Sequence, residues 1–418
     1  MEWWRKDENE KKCKNKKFII SCNVNHRADI GVKGNSLITY AAADMGGDLC
    51  ILTAEESETD YVSAESVITT GWQTDSDGNT YYYDENGEKT TGKVVIGDAT
   101  YYFNLDGIMQ TGLQPVESST YYFSTETDTL GQMVTGWKTI DGSKYYFSTN
   151  ADTLGQMATG WQTISKSKYY FGTNGKMVTG WKTISSSKYY FGTNGKMVTG
   201  WKTISKSKYY FASNGKMVTG YKKIGSYKYY FSSKGVLQKS KIVGTKKLGY
   251  NYVDSAGRVV TSKEIKYAVN FVKAHTKDSW SKSKKLKTCY NYLWKNYPYK
   301  RYYDKASAKK MSTYAQQMFK NKKGNCYRYA ASFACIARVI GYDSRVVNGG
   351  LRYRSGGWSY HGWTEVKVNG KWYICDANMQ RNYPKVNAYM RTESNYPYTH
   401  IIRAKYKLTI SKGKAVWK

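Results

Sequence analysis

The chain has 418 residues, which is too long for one hydrophobic core, so two or more domains are expected. It contains 42 tyrosines and only 4 prolines, a composition that argues against a disordered, proline-rich protein. The net charge is +33, and residues 263–418 alone carry 33 basic and 7 acidic side chains. Such a field attracts polyanions, among them teichoic acids, acidic proteins and nucleic acids. No run of about 18 apolar residues occurs, so no transmembrane helix is expected.

The N-terminal segment, residues 1–65, is difficult to assign. Residues 11–17 are basic, as at the start of an export signal, but the apolar run at 18–24 is short and interrupted by polar residues. A second apolar stretch at 37–45 contains small residues suited to cleavage. We interpret this region as a degenerate export signal, followed at 51–65 by an acidic linker.

Residues 66–262 consist of an internal repeat. Each unit begins with a glycine that follows threonine and usually precedes tryptophan, at steps of 20 to 24 residues. The marking glycines are Gly71, Gly92, Gly112, Gly136, Gly160, Gly180, Gly200 and Gly220.

Each unit is predicted to form a β-hairpin. In the unit at 180–199, the Lys-Tyr-Tyr-Phe segment at 188–191 favours a strand, residues 193–195 contain an Asn-Gly turn signal, and residues 196–198 begin a return strand. One hairpin cannot bury its own apolar face, so successive units are expected to stack into an all-β solenoid.

The repeats resemble the cell-wall-binding, or choline-binding, repeat family, which also occurs in clostridial toxin tails and glucan-binding proteins. The resemblance implies noncovalent attachment to a wall polymer: teichoic acid, choline or a glycan. Tryptophan and tyrosine rings at the junctions between units can hold a quaternary ammonium group or stack on a sugar. The candidate ligand-binding residues are Trp72, Trp137, Trp161, Trp181, Trp201, Tyr170, Tyr190 and Tyr210.

One departure from the choline-binding pattern concerns the residue before the Tyr-Tyr pair, which is usually tryptophan in that family. Here the position holds Lys168, Lys188, Lys208 and Lys228, or Thr80, Thr100 and Thr120. A lysine removes one wall of a cation cage and repels a cation, which favours a carbohydrate or an anionic polymer over choline. A plainer interpretation is that the aromatic rings only fill the core of the solenoid.

Residues 263–418 have helical patterns and a candidate nucleophile. Gly324 and Asn325 interrupt the chain, and Cys326 then opens a helix whose apolar residues include Ala330, Phe333, Ala334 and Ala337. Gly341 is expected to end this helix. The free N–H groups and dipole at a helix N-terminus favour a thiolate and can help to stabilise an oxyanion.

A predicted hairpin supplies the partners of that cysteine. Asn369-Gly370 is a strong two-residue turn signal, and it sets Val368 opposite Lys371. In that register His361 and Asp376 are diagonal neighbours on one face, within reach of each other. The other cysteines have no such partners, and no CxxC pair occurs, so neither a metal site nor another cofactor is expected.

These motifs resemble the transglutaminase-like superfamily, in which Cys, His and Asp occur in this order. The resemblance implies an α+β, papain-like domain with Cys326 as nucleophile, His361 as base and acid, and Asp376 as the residue that orients His361. The substrate would be a peptide or protein amide, with transfer to an amine or hydrolysis left open. Gln316 and Gln317 are candidate side-chain oxyanion donors.

The leading hypothesis is therefore a secreted enzyme held at the bacterial cell wall by its repeats. A second hypothesis is a noncatalytic, wall-binding adhesin with a decayed enzyme domain, although the intact set of three residues argues against decay. A nucleic-acid binder is a third hypothesis based on charge alone, and no recognition motif supports it.

Overall fold

A computed structural model describes residues 69–352 and 356–418, together with three backbone strands in the N-terminal segment. These strands, β1 (Ile19–Cys22), β2 (Leu37–Ala43) and β3 (Leu49–Glu55), form an antiparallel sheet in the order β1-β3-β2. The interpretation of residues 1–65 as a degenerate export signal and linker lies almost entirely outside the described residues. None of the described helices has the length and apolar character needed to cross a membrane.

The chain forms two compact units, Met1–Ala158 and Thr159–Lys418. In the first unit the repeats form four antiparallel hairpins. Their strands are β4 (Gly71–Thr74) with β5 (Thr80–Tyr83), β6 (Gly92–Ile96) with β7 (Ala99–Phe103), β8 (Gly112–Val116) with β9 (Ser119–Phe123), and β10 (Gly136–Ile140) with β11 (Ser143–Phe147).

The second unit begins with five more hairpins, so the predicted β-hairpin repeats are confirmed. Their strands are β12 (Gly160–Ile164) with β13 (Ser167–Phe171), β14 (Gly180–Ile184) with β15 (Ser187–Phe191), β16 (Gly200–Ile204) with β17 (Ser207–Phe211), β18 (Gly220–Ile224) with β19 (Tyr227–Phe231), and β20 (Lys241–Thr245) with β21 (Gly249–Val253).

The prediction that the aromatic strand at 188–191 pairs with the segment that follows it was wrong. β15 pairs with β14, which precedes it, and Ser185 and Ser186 form the turn with φ of 44° and 63°. Such a turn has the twist that a two-residue hairpin requires. The segment expected to be the return strand makes only one bridge, between Phe191 and Met197. It turns back at Gly195 (φ 76°), where a Cβ would lie 2.2 Å from the sulfur of Met177 in the preceding hairpin.

Successive hairpins are joined through the backbone as well as through side chains. The N–H of Met197 donates to the carbonyl of Lys168 at 2.8 Å, and the N–H of Met217 donates in the same way to Lys188. Most of the aromatic strands end in a buried phenylalanine, and Phe191 and Phe211 are 0% exposed. Stacked antiparallel hairpins with a buried aromatic core are therefore the architecture of this region.

The rest of the second unit is a helix and strand domain. Its helices are α1 (Lys263–His275), α2 (Lys282–Asn296), α3 (Ala308–Asn321), α4 (Cys326–Ile340) and the short α5 (Ala377–Asn382). Its antiparallel sheet has the order β24-β23-β22-β25-β26, formed by β22 (Asp343–Arg352), β23 (Trp358–Val368), β24 (Lys371–Cys375), β25 (His400–Ser411) and β26 (Lys414–Trp417).

Helix α4 lies at the centre of this domain. It contacts α1, α3 and the strands β22 and β23, and every residue in it except Arg338 is buried. The sequence predicted one apolar face, whereas the helix is enclosed on all sides. The small residues Ala331 and Ala334 and the compact Ser332 allow neighbours to approach it closely, and each is 0% exposed.

The last hairpin of the repeat region is part of the core of this domain. Tyr252 and Val260 are buried in the same cluster as residues of α1, α2 and α4. The carboxylate of Asp254 accepts from the N–H of Gly413 at 3.2 Å, and the N–H of Thr261 donates to the carbonyl of Gly413. The last hairpin therefore packs directly against the helix and strand domain that begins at residue 263.

Candidate functional site

Cys326 is the first residue of α4, as predicted. The side chain of Asn325 caps the helix by accepting from the N–H of Arg328, and Gly341 ends it in the left-handed region with φ of 109°. The cysteine is 8% exposed, so its thiol is close to the surface but shielded from bulk water. Its N–H lies in the first turn, where helix N–H groups lack an intrahelical partner.

The hairpin that carries His361 has the predicted register. Val368 pairs with Lys371 across a turn in which Asn369 and Gly370 have φ of 49° and 84°. His361 Nε2 lies 2.6 Å from Asp376 Oδ2, and both side chains are buried. A turn of two residues thus brings together two groups that are fifteen residues apart.

Asp376 accepts several hydrogen bonds besides its contact with His361. Its Oδ1 accepts from the N–H of Met379, because Asp376 is the N-cap of α5. Its Oδ2 also accepts from the hydroxyl of Tyr396 at 2.6 Å, and its backbone carbonyl accepts from the hydroxyl of Tyr290 at 3.0 Å. Sequence reasoning missed both tyrosines, since no motif distinguishes them from the other tyrosines of the chain.

The electrostatics of His361 result from opposing effects. Burial lowers its pKa, but the charge of Asp376, the hydrogen bond to Asp376 and a side-chain hydrogen bond with Cys326 outweigh burial and raise the pKa to about 10. The imidazole is therefore protonated at neutral pH, between a carboxylate on one side and a sulfur on the other. Because Asp376 contacts Nε2 of the imidazole, Nδ1 is the ring nitrogen that remains for another partner.

The other described cysteines are free, buried and poorly suited to act as nucleophiles. Burial raises the pKa of Cys289 and of Cys375 to about 12, and it also raises the pKa of Cys335. A thiol whose pKa lies that far above neutral is inert as a nucleophile. Among the described residues no group of three His, Cys, Asp or Glu side chains is arranged to hold a metal ion.

The two candidate oxyanion donors differ in their contacts, because only Gln316 uses its amide nitrogen in a side-chain hydrogen bond. The amide nitrogen of Gln316 donates to Glu264 at 3.2 Å and to Ser312. The amide oxygen of Gln317 accepts from Arg328 Nε at 2.9 Å. A side-chain oxyanion donor therefore stays a prediction without an assigned residue.

Arg345, four residues after Gly341, joins neighbouring strands of the sheet. Arg345 lies on β22 and forms an ion pair of 2.5 Å with Glu365 on β23. Its guanidinium also lies 4.0 Å from the ring centroid of Trp372 on β24. These contacts join three neighbouring strands, including the strand that carries His361.

In the repeats, the predicted tryptophans and tyrosines do come together. Trp181 packs edge-to-face on Tyr190 of its own hairpin at 5.2 Å between ring centroids, and on Tyr209 of the next hairpin at 5.0 Å. Sequence reasoning named Tyr190 and missed Tyr209. The same pairs recur as Trp72 with Tyr82 and Tyr101, Trp161 with Tyr170 and Tyr189, and Trp201 with Tyr210 and Tyr229, while Trp137 packs on Tyr146.

Comparison with protein families assigns both regions. Residues 266–377 match the transglutaminase-like superfamily. Residues 219–237 match the putative cell wall binding repeat. Segments within 69–222 match the choline-binding repeat, at 69–109, 90–133, 134–178, 158–199 and 198–222.

Several solved structures are similar to the chain. CbpJ from Streptococcus pneumoniae TIGR4 is 25% identical over 56% of this chain and 80% of its own, with a TM-score of 0.42. Choline binding protein F from Streptococcus pneumoniae is 28% identical over 47% and 72%, with a TM-score of 0.40. The choline-binding domain of CbpL from the same species is 27% identical over 46% and 98%, with a TM-score of 0.35. No curated protein matches the chain significantly.

Proposed function

We propose that this chain, which carries a transglutaminase-like domain preceded by choline-binding repeats, is an exported cysteine acyltransferase of the bacterial cell wall. The two family matches support a cell-wall-associated enzyme. The observation that carries the chemical part is the position of His361, which lies 2.6 Å from Asp376 Oδ2 and whose pKa is raised by Cys326 as well as by Asp376. This arrangement is that of a nucleophile, a base and an orienting acid.

The proposed reaction begins with the sulfur of Cys326 as thiolate beside protonated His361. The sulfur attacks the carbonyl carbon of an amide, and the negative charge moves to the carbonyl oxygen near the first turn of α4. His361 then gives its proton to the leaving nitrogen, the C–N bond breaks, and a thioester remains on Cys326.

A second nucleophile completes the cycle. His361, now neutral, takes a proton from water or from an amine, whose oxygen or nitrogen attacks the thioester carbonyl. Water releases a carboxylic acid, so the net reaction is hydrolysis or deamidation, whereas an amine forms a new amide, which is a cross-link. Asp376 stabilises the protonated imidazole and keeps one ring nitrogen directed at the sulfur.

The thiol chemistry can be tested without knowing the substrate. We expect iodoacetamide to alkylate Cys326 of the full chain rapidly at pH 7, and at least about tenfold more slowly in Asp376→Asn and His361→Ala variants. His361→Ala removes the imidazole, and Asp376→Asn removes the carboxylate that keeps the imidazole protonated. In both variants the loss of a positive neighbour disfavours the thiolate. Asp278→Asn, at an exposed ion pair, is the matched control and should react like the wild type. Equal rates in all four proteins would favour the alternative, an adhesin with a decayed enzyme domain.

The reaction itself is tested by incubating the full chain with a glutamine-containing peptide and a labelled primary amine. Mass spectrometry distinguishes amine incorporation from deamidation and from peptide cleavage. A Cys326→Ala variant supplies the background. A product that forms equally with this variant would remove Cys326 from the mechanism.

A further inference from the structure

Three hairpins of the second unit present the same set of side chains on one face. In the register of β14 and β15, Trp181 pairs with Tyr190 and Thr183 pairs with Lys188. Since residues two apart on a strand share a face, these four side chains lie together. The neighbouring hairpins repeat the set as Trp161, Tyr170, Thr163 and Lys168, and as Trp201, Tyr210, Thr203 and Lys208.

The rings of this face are packed against one another. Trp181 is 41% exposed, yet its contacts with Tyr190 and Tyr209 are edge-to-face with centroids 5.2 and 5.0 Å apart. A trimethylammonium group needs ring faces that converge on an empty space. The exposed part of Trp181 leaves aromatic surface on which a sugar can stack.

In two hairpins a lysine of the same hairpin already lies over the aromatic ring, where a ligand cation would bind. The ammonium of Lys208 lies 4.5 Å from the ring centroid of Trp201, and that of Lys228 lies 4.6 Å from the centroid of Tyr221. A ligand cation at either ring would have to displace the ammonium or approach a like charge. Both effects oppose the binding of choline.

The space beside Trp181 favours an anionic ligand over a cationic one. A cavity of 130 Å³ is lined by Trp181, Lys182, Thr183 and Lys188. Among the described residues neither lysine is in an ion pair. One ring face, one hydroxyl and two unpaired ammonium groups are complementary to a sugar that carries a negative charge.

We propose that this lysine-bearing face binds an anionic glycan, a sugar polymer carrying phosphate or carboxylate groups, and does not bind choline. The proposal deepens the wall attachment given above and depends on it. The tryptophans contact sugar rings, the lysines contact the acidic groups, and the spacing of the hairpins repeats the contact along the polymer.

The test measures binding of the full chain to four soluble probes by tryptophan fluorescence. Polygalacturonate carries carboxylates, glucosylated poly(glycerol phosphate) carries phosphates, dextran is neutral, and choline chloride is the cation. We expect one or both anionic polymers to bind, with affinity that falls as salt is added, and dextran and choline to bind far more weakly. The stronger of the two anionic probes identifies the acidic group.

Variants assign the binding to the proposed face. Replacing Lys168, Lys188 and Lys208 with Met should weaken binding of the anionic polymer about tenfold or more, because three ionic contacts are lost. Replacing the exposed Lys176, Lys196 and Lys216 with Met is the matched control, since it removes the same charge from the same hairpins. The control should bind like the wild type. Equal losses in both triple variants would overturn the proposal, as would binding of choline or dextran as strong as that of the polyanions.

Sedimentation with purified Gram-positive cell walls tests the proposed wall attachment separately from the proposed anionic ligand. A chain that does not sediment with walls contradicts the proposed wall attachment itself. A chain that sediments and is released by choline, but not by polygalacturonate or poly(glycerol phosphate), retains the attachment and overturns the anionic ligand. Release by a polyanion, together with poor sedimentation of the first triple variant, supports both.

Discussion

At the scale of single residues, the site depends on how His361 is balanced between burial and charge. Burial alone would make the imidazole neutral, yet the carboxylate 2.6 Å away and the thiol of Cys326 raise its pKa to about 10. Tyr396 and Met379 hold the carboxylate in place through its two oxygens. The charge of His361 is therefore a property of the assembled structure.

This shift predicts how stability changes with pH. The folded protein holds a proton on His361 up to about pH 10, whereas the unfolded chain loses it near the ordinary value of 6.5. The stabilisation is complete below pH 6.5 and declines as the pH rises towards 10, with a slope of up to about 1.4 kcal/mol per pH unit. Urea unfolding from pH 6 to pH 9.5 should show this decline in wild type.

The control for the pH series is His361→Gln, which cannot bind the proton. The difference in free energy of unfolding between wild type and this variant should shrink steadily as the pH rises. A difference that stays constant across the range would show that His361 is not preferentially protonated in the folded state.

At the scale of elements, the strand beside His361 requires a residue without a side chain. Gly349 on β22 pairs with His361 on one side and with Ile402 on the other. A Cβ there would lie 2.1 Å from the carbonyl oxygen of Ile401 and 2.7 Å from the ring of Trp363. That ring is also stacked beside His361, with centroids 6.2 Å apart.

The prediction is that Gly349→Ala destabilises the protein by about 2 to 3 kcal/mol, because backbone and ring must both move. It should also slow the alkylation of Cys326, since Trp363 would press on His361. Gly370→Ala is the comparison, because a Cβ at Gly370 meets nothing within 4 Å and the cost comes only from its φ of 84°. We expect about 1 kcal/mol for that variant. Gly349→Ala with wild-type stability in urea would contradict the contact.

At the scale of the whole molecule, the last hairpin of the repeats is built into the core of the helix and strand domain. Tyr252 and Val260 are 5% and 4% exposed, and their cluster includes residues of all five helices of the domain. The hydrogen bonds of Asp254 and Thr261 to Gly413 join this hairpin to the turn between β25 and β26. The predicted boundary between residues 262 and 263 separates parts that pack together.

A pair of fragments tests this packing. A fragment of residues 239–418 should fold cooperatively, whereas one of residues 263–418 should melt at a clearly lower temperature or bind the dye ANS, because Tyr252 and Val260 no longer cover the core. The loss of two large buried side chains corresponds to several kcal/mol, roughly 2 to 5 for each. Calorimetry of both fragments is the measurement. Equal melting temperatures would show that the hairpin is not part of the core.

Features encoded over short distances could be predicted from the sequence. Gly324 and Asn325 mark the start of a helix, and the structure begins α4 at Cys326. Asn369 and Gly370 set a turn, and a turn sets the register of every pair beyond it, so the approach of His361 to Asp376 followed from counting along two strands. The repeat was equally plain, because one pattern recurs along the chain.

Other features were decided only by the tertiary structure. Tyr396 and Tyr290 reach Asp376 from 20 and 86 residues away, and the strand that pairs with β15 lies before it although an Asn-Gly signal lies after it. The sequence by itself determined the turn at Asn369-Gly370 and which residues of the strands beside it lie on the same face, since those depend on dihedral angles of neighbouring residues. Which distant side chains surround a carboxylate, fill the space around α4 or cover an aromatic ring depends on packing between elements, which no local pattern specifies.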